Sequence, residues 1–301
     1  MTKNYFLKAC ICMLFGFLLS CDNTTADPIN NSLNNPNNPS GGNNGGNGNG
    51  GGTTITGPRI LEKVTVNNVV NEEYVTTAGF LEKAIFKDEG GPNNYLTGTV
   101  TYTNNRISKV KFVSNAAGAL TYDYNITYDG NGRISGTTGS SGMNSMTTTE
   151  SIYTYTYDSA GKISKIFERI KQAGTSAYTQ FKESTLTYSG DNVEKVIWKM
   201  GMTDSNGNPD MSTGSSTTYG YQNYDSKISP YTTLPKTFFV VWSLLHPANF
   251  YTLSANNPQT LNFVLPSPLA PVSVPKTYLY DSQNYPVSDQ SQTQKYIYKP
   301  L

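Results

Sequence analysis

From Leu120 to Tyr128 the even positions (Leu120, Tyr122, Tyr124, Ile126, Tyr128) are apolar or aromatic, and the odd ones (Thr121, Asp123, Asn125, Thr127) are polar. A period of two sends successive side chains to opposite faces, so this stretch predicts a strand with one apolar and one polar face. Ile152–Tyr157 alternates in the same way, with Tyr153, Tyr155 and Tyr157 opposite Thr154 and Thr156, and Thr185–Tyr188 repeats the pattern. Helical periodicity is almost nowhere comparable. The one helical candidate is Phe238–His246, "FFVVWSLLH", which Pro247 stops.

The strands recur as units. Each opens at a strand-ending tyrosine: "YTNNRISKV" at Tyr102, "YDGNGRISG" at Tyr128, "YDSAGKISK" at Tyr157, "YSGDNVEKV" at Tyr188 and "YDSQNYPVS" at Tyr280. Each predicts a strand, a tight Asn/Asp/Gly turn and a second strand. The first four tyrosines are 26, 29 and 31 residues apart, room for two strands and two connections. The rhythm breaks between Tyr188 and Tyr280, where "MTDSNGNPDMSTGSS" predicts a loop and Pro230–Pro275 is punctuated by proline. The expected fold is all-β: one antiparallel meander of repeated hairpins, curved into a half-barrel or barrel, with at most one short helix.

Composition divides the chain. Lys3 and Lys8 precede an apolar run that ends at Cys21, with the length of a secretory leader and too short to span a bilayer. Leu18-Leu19-Ser20-Cys21 resembles the lipobox of bacterial lipoproteins. That resemblance implies cleavage before Cys21 and lipidation of its thiol, an anchor to the membrane without a transmembrane helix. Residues 1–20 are thus expected to be a signal peptide and 21–57 a lipidated, Asn/Gly/Pro-rich tether that reaches roughly 30–35 Å on average. Residues 58–301 are expected to be the β-domain. The cysteines are Cys10, Cys12 and Cys21, so the β-domain contains no disulfide and no cysteine nucleophile. Two of the 22 basic residues lie in the leader and the rest balance 21 acidic ones. With no basic stripe, nucleic acid is not an expected partner.

With these pieces together, the chain resembles an uncharacterised family of Bacteroidetes lipoproteins with a porin-like, curved antiparallel β-sheet, and its hairpins look like the YD-type repeats of bacterial surface proteins. The quoted hairpins, the lipobox and tether, "YDSKISPYTTLP", "FYTLSANNPQ" and the closing "YLYDSQNYPVSDQSQTQKYIY" carry the resemblance. It implies an outer-membrane location, on the cell surface or the periplasmic face, and no assigned activity. About five units are too few for a cargo-enclosing shell of the Rhs type.

Candidate chemistry is sparse. Asp129-Gly-Asn-Gly suggests a calcium loop until Arg133 falls at a ligand position and the sister units replace the aspartate by Thr103 and Ser189, so the turn is its reading. Asp204, Asn206, Asn208 and Asp210 have calcium-loop spacing, but Pro209 and Ser215 stand where glycine and glutamate belong; a polar turn explains the same residues. His246 is the sole histidine, in the most apolar segment, and zinc would lack partners. No carboxylate pair singles itself out and no cofactor is expected. Tyr122, Tyr124, Tyr128, Tyr153, Tyr155 and Tyr157 are either a core or a ligand face for a glycan. Asp158-Ser159-Ala160 matches an acceptor pattern resembling Bacteroidetes O-glycosylation at Ser159. The leading expectation is a non-enzymatic module that binds a glycan or another envelope partner. A carrier of lipid or another apolar ligand in an open barrel is the alternative, and a glycan hydrolase the third reading.

Overall fold

The computed structural model describes residues 58–301 apart from 89, 90, 92, 117 and 145, so Cys21 and the expected tether lie outside the described residues. As alternation predicts, the architecture is all-β. The strands are β1 (Arg59–Val66), β2 (Val69–Thr77), β3 (Phe80–Lys87), β4 (Tyr95–Thr103), β5 (Arg106–Ser114) and β6 (Leu120–Tyr128). Next come β7 (Ile134–Met143), β8 (Met146–Tyr157), β9 (Ile163–Gln172), β10 (Gln180–Ser189), β11 (Asn192–Met202) and β12 (Ser215–Tyr224). The last five are β13 (Pro258–Val264), β14 (Val272–Pro275), β15 (Leu279–Tyr280), β16 (Pro286–Ser288) and β17 (Gln294–Pro300). Among the described residues one α-helix, α1 (Lys236–Leu245), lies between β12 and β13.

Every ladder is antiparallel. Each strand from β1 to β14 pairs with its sequence neighbours, β15 and β16 lead into β17, and β17 returns to β1. The two ends of this sheet are therefore β14 and β15, which are consecutive in the chain. Pro275 and Leu279 are separated by three residues, a reach of at most about 14 Å. The sheet curls until its ends meet, yet no ladder joins them among the described residues.

Proline explains the seam. Lys276 donates its amide to Gln259 O at 2.8 Å, so the alternation of an antiparallel pair turns the backbone groups of Val272, Val274 and Lys276 toward β13. The far edge of β14 then belongs to Ser273, Pro275 and Thr277. Pro275 has no N–H to offer a neighbour, which stops a ladder there.

Curvature is written into the repeat. The ladder register shifts between Thr101 and Tyr102, Thr127 and Tyr128, Thr156 and Tyr157, and Thr187 and Tyr188. Each shift inserts one extra residue beside the strand-ending tyrosine, and such bulges bend a sheet and increase its twist. The turns that follow use left-handed backbone: Asn104 and Asn105 have φ of 51° and 58°, and Gly132 has φ of 80°.

The outer wall is polar, with Thr99, Thr101, Lys111, Asn125, Thr154 and Thr156 exposed, and ion pairs Lys109–Asp123, Lys165–Glu183 and Lys171–Glu150 cross it. The inward face holds the core. This is the reverse of a membrane-spanning barrel, whose outward band is apolar. A helix apolar on all sides must be buried, and α1 is: Thr237 to Ser243 are all buried. It fills the interior against β2, β3 and β5, with Trp242 stacked on Phe86 at 3.8 Å, Phe238 6.0 Å from Phe112, and Phe239 6.1 Å from Tyr74. Pro235 precedes α1 and His246 ends it, its amide bonded to Trp242 O at 3.1 Å.

Candidate functional site

An antiparallel meander has two ends, and they differ here. At one, the turn end, lie the tight turns after the strand-ending tyrosines, the start of β1 and the close of β17. At the other, the loop end, lie the described residues of the eight connections that follow β1, β3, β5, β7, β9, β11, β13 and β16.

At the turn end the repeat residues stitch one hairpin to the next. Tyr128 donates its hydroxyl to Ile107 O at 2.7 Å, Tyr157 to Ile134 O at 2.7 Å and Tyr188 to Ile163 O at 3.0 Å. Tyr102 does the same to Leu81 O at 3.0 Å, one hairpin earlier. The basic residue of each turn lies over the next tyrosine: Arg106 over Tyr128, Arg133 over Tyr157 and Lys162 over Tyr188, at 5.4, 4.7 and 5.5 Å from the ring centroids. Tyr224 continues the series, donating to Val193 O at 2.7 Å. Its "YDSKIS" resembles the other units, and that signal identifies it although the spacing from Tyr188 is irregular. Tyr280 departs from the series, its hydroxyl bonding Asp225.

The aspartates of these turns are satisfied by their own backbone. Asp129 Oδ1 accepts the amides of Asn131 and Arg133, both at 2.9 Å. Asp204 Oδ1 accepts those of Asn206 and Asn208 at 2.9 and 2.8 Å, the same arrangement at the loop end. Those backbone amides hold the Asp204 carboxyl below the usual carboxylate range. Asp210 accepts from Ser212 N and Oγ. The spacing of Asp204, Asn206, Asn208 and Asp210 is thus that of a backbone-capped turn. No group of three or more His, Cys, Asp or Glu able to hold a metal occurs among the described residues.

The six singled-out tyrosines divide by depth. Tyr124 and Tyr153 are buried, and the other four are half-buried against the core. Tyr153 donates to Glu168 Oε1 at 2.7 Å, Tyr155 bonds Thr137 Oγ1 at 2.9 Å, and burial pushes both phenols up. Tyr157 is pushed up to about 12, chiefly by burial. Glu168, 5% exposed, also accepts from Ser151 at 2.8 Å and faces Lys182 at 3.3 Å, so its oxygens are occupied.

A second, half-buried acid lies on β2. Glu72 accepts from Tyr74 at 2.6 Å and from Tyr231 at 3.4 Å, and burial raises its pKa. Burial lowers that of Lys276, whose charge acts on Glu72 and whose Nζ donates to Gln294 Oε1 at 3.2 Å. Lys276 occupies the seam between β14 and β15, so this polar cluster lines the place where the ladder stops. His246 is held neutral, its pKa lowered to about 4 by burial, with Asp88 opposing that shift. Each of these groups has a structural partner. Ser159, on the turn after β8, is exposed.

The loop end is different. Among the described residues thirteen large apolar side chains are exposed, and nine of them lie at this end. Leu120, Met143 and Met146 form one patch, paired in register across three adjacent strand ends at 42%, 48% and 72% exposure. Met202 and Met211 lie further round the rim, and Val69, Val113, Val264 and Leu269 complete the set. The five methionines among the described residues all lie near this rim, Met200 included. They are scattered from residue 143 to 211 in the chain, so only the topology reveals the grouping.

No family model matches the chain, and no curated protein does. Among solved structures, a porin-like protein from Bacteroides vulgatus ATCC 8482 is similar over 80% of this chain and 100% of its own, with a TM-score of 0.46 and 14% identity. A porin-like protein from Bacteroides uniformis ATCC 8492 is similar over 81% of this chain and 96% of its own, with a TM-score of 0.43 and 13% identity.

Proposed function

We propose that this chain is a non-catalytic binding module of the cell envelope, held to the outer membrane by lipidated Cys21 and the Asn/Gly tether, and that it engages its partner through the apolar loop end. The observation that carries this reading is the segregation of exposed apolar side chains: among the described residues, nine of thirteen gather at the end remote from Arg59, where the expected tether joins the sheet. Exposed apolar groups grouped within a polar surface mark interaction sites. Methionine, flexible and polarizable, suits surfaces that adapt to a partner.

The other readings have less support. A carried lipid would compete with the interior already taken by Phe238, Val241 and Trp242. A glycan platform built on the strand tyrosines would have to recruit rings turned to the core and hydroxyls bonded within the protein. The acids turned toward the core, half-buried Glu72 and buried Glu168, are hydrogen-bonded by neighbouring hydroxyls, which favours a structural role over hydrolysis.

The test is photo-crosslinking in whole cells, with a cross-linking residue placed at Met146 on the loop end or at Ser159 on the turn end. Adducts from position 146 and none from position 159 are expected. Equal adducts from both, or none from 146, would sink the proposal.

A further inference from the structure

The loop end differs from the turn end in charge as well as in polarity. Among the described residues, its eight connections contain Asp88, Asp204, Asp210 and Asp289 and no lysine or arginine. The nearest cations belong to strands: Lys171 pairs with Glu150 at 2.8 Å, Lys182 with Glu168 at 3.3 Å and Lys295 bonds Asn68 at 3.0 Å, while Lys111 and Lys199 stand three residues short of their strand ends. Lys87 is followed directly by Asp88. At the turn end, Arg133, Lys162, Lys227 and Lys236 stand among the aspartates.

We infer that the loop end docks a basic polypeptide surface, one that offers apolar side chains to Leu120, Met143 and Met146 within a margin of lysine and arginine. The inference rests on the binding reading above and supplies the chemistry of its partner. Apolar contact at the centre with opposite charges at the margin is how protein interfaces combine affinity with orientation. The acidic connections disfavour the other occupants of an apolar rim. An anionic bilayer attracts basic segments and repels acidic ones, and a phosphorylated or sulfated glycan is repelled in the same way. A second copy docked rim to rim would set like charges against each other.

The test uses the full-length chain in a neutral detergent and three probes: a synthetic amphipathic peptide of repeated Lys-Leu-Leu, its Glu-Leu-Leu counterpart, and vesicles rich in phosphatidylglycerol. The lysine peptide is expected to bind about tenfold tighter than the glutamate peptide, and severalfold more weakly when salt is raised to ~0.5 M. Two variants locate the contact. Met143→Ser with Met146→Ser removes the apolar centre. Asp204→Asn with Asp210→Asn removes charge while keeping a side-chain oxygen for the turn amides. Each pair is expected to weaken the lysine peptide severalfold. Equal binding of both peptides, no binding of the lysine peptide, binding unchanged in the serine pair, or a preference for the vesicles would overturn the inference. Adducts at position 146 without a charge preference would overturn the partner chemistry alone. Loss of both would overturn the binding reading as well.

Discussion

The same strands finish in two chemically different rims. At the turn end, a tyrosine hydroxyl closes on the carbonyl of the preceding hairpin, a basic side chain lies over the ring, and an aspartate caps the turn amides. At the loop end, Met146 is 72% exposed and Leu120 and Met143 are about half exposed. A sheet whose two edges meet without a ladder needs something to hold its curl, and the turn end supplies it through repeated side-chain bonds. On the proposed reading, stability and recognition are divided between opposite ends of one set of strands, and substitutions at the two ends are expected to register in different measurements.

The largest effect is expected from removing the stitching wholesale. Replacing Tyr102, Tyr128, Tyr157 and Tyr188 by Phe keeps the rings and deletes four hydroxyl donors. Each half-buried carbonyl left without its partner costs about 1–1.5 kcal/mol, and the units are far enough apart to add approximately, giving about 4–6 kcal/mol. Urea denaturation is expected to show a lowered midpoint with an unchanged slope. A loss under ~2 kcal/mol would mean that core packing alone holds the curl.

A smaller, pH-dependent effect is expected where α1 reaches the loop end. The folded-state pKa of His246 is lowered to about 4 from 6.5 by burial, so between these values the unfolded chain binds the proton and the folded one does not. Its contribution is fully present above pH 6.5 and is lost as pH falls toward 4, with a ceiling of about 3 kcal/mol. Glu72 acts in the opposite sense. Its pKa is raised by burial, so the stability it lends at low pH is lost as pH rises through its folded value. His246→Gln is expected to flatten the decline between pH 6.5 and 4, and Glu72→Gln to steepen it. An identical profile in His246→Gln would show that the ring titrates as it does in water.

Much of this fold was legible in the sequence for a simple reason: a strand with one wet and one dry face leaves a period of two, and a tight turn requires residues that tolerate positive φ. The helix was legible too. Phe238–His246 stood out as apolar, and α1 runs from Lys236 to Leu245, its start set by Pro235 just ahead of the apolar run. β12 was hidden because "SSTTYGYQNY" gives its alternation in serine, threonine and glycine as much as in tyrosine. The role of the repeat was hidden for another reason. The acceptor of the Tyr128 hydroxyl is a backbone carbonyl 21 residues earlier, and a carbonyl has no letter in a sequence. The seam needed both the register of Lys276 and the missing N–H of Pro275. The rim is the extreme case. Met143 and Met211 come to share one rim only when antiparallel topology carries alternate connections to the same end.

The smallest expected effect sharpens the comparison most. Met143→Ser and Met146→Ser remove side chains that are 48% and 72% exposed, so little apolar area returns to water on unfolding. Each is expected to change stability by less than about 0.5 kcal/mol, the range of surface substitutions that touch no special feature. A Tyr128→Phe change in the same two-hairpin region is expected to cost about twice that or more, although it alters one oxygen atom. The contrast is read in a single denaturation series. A methionine variant that lost more than ~1 kcal/mol would show that the loop end packs against its own chain, and the apolar rim would then be part of the scaffold and not a surface held open for a partner.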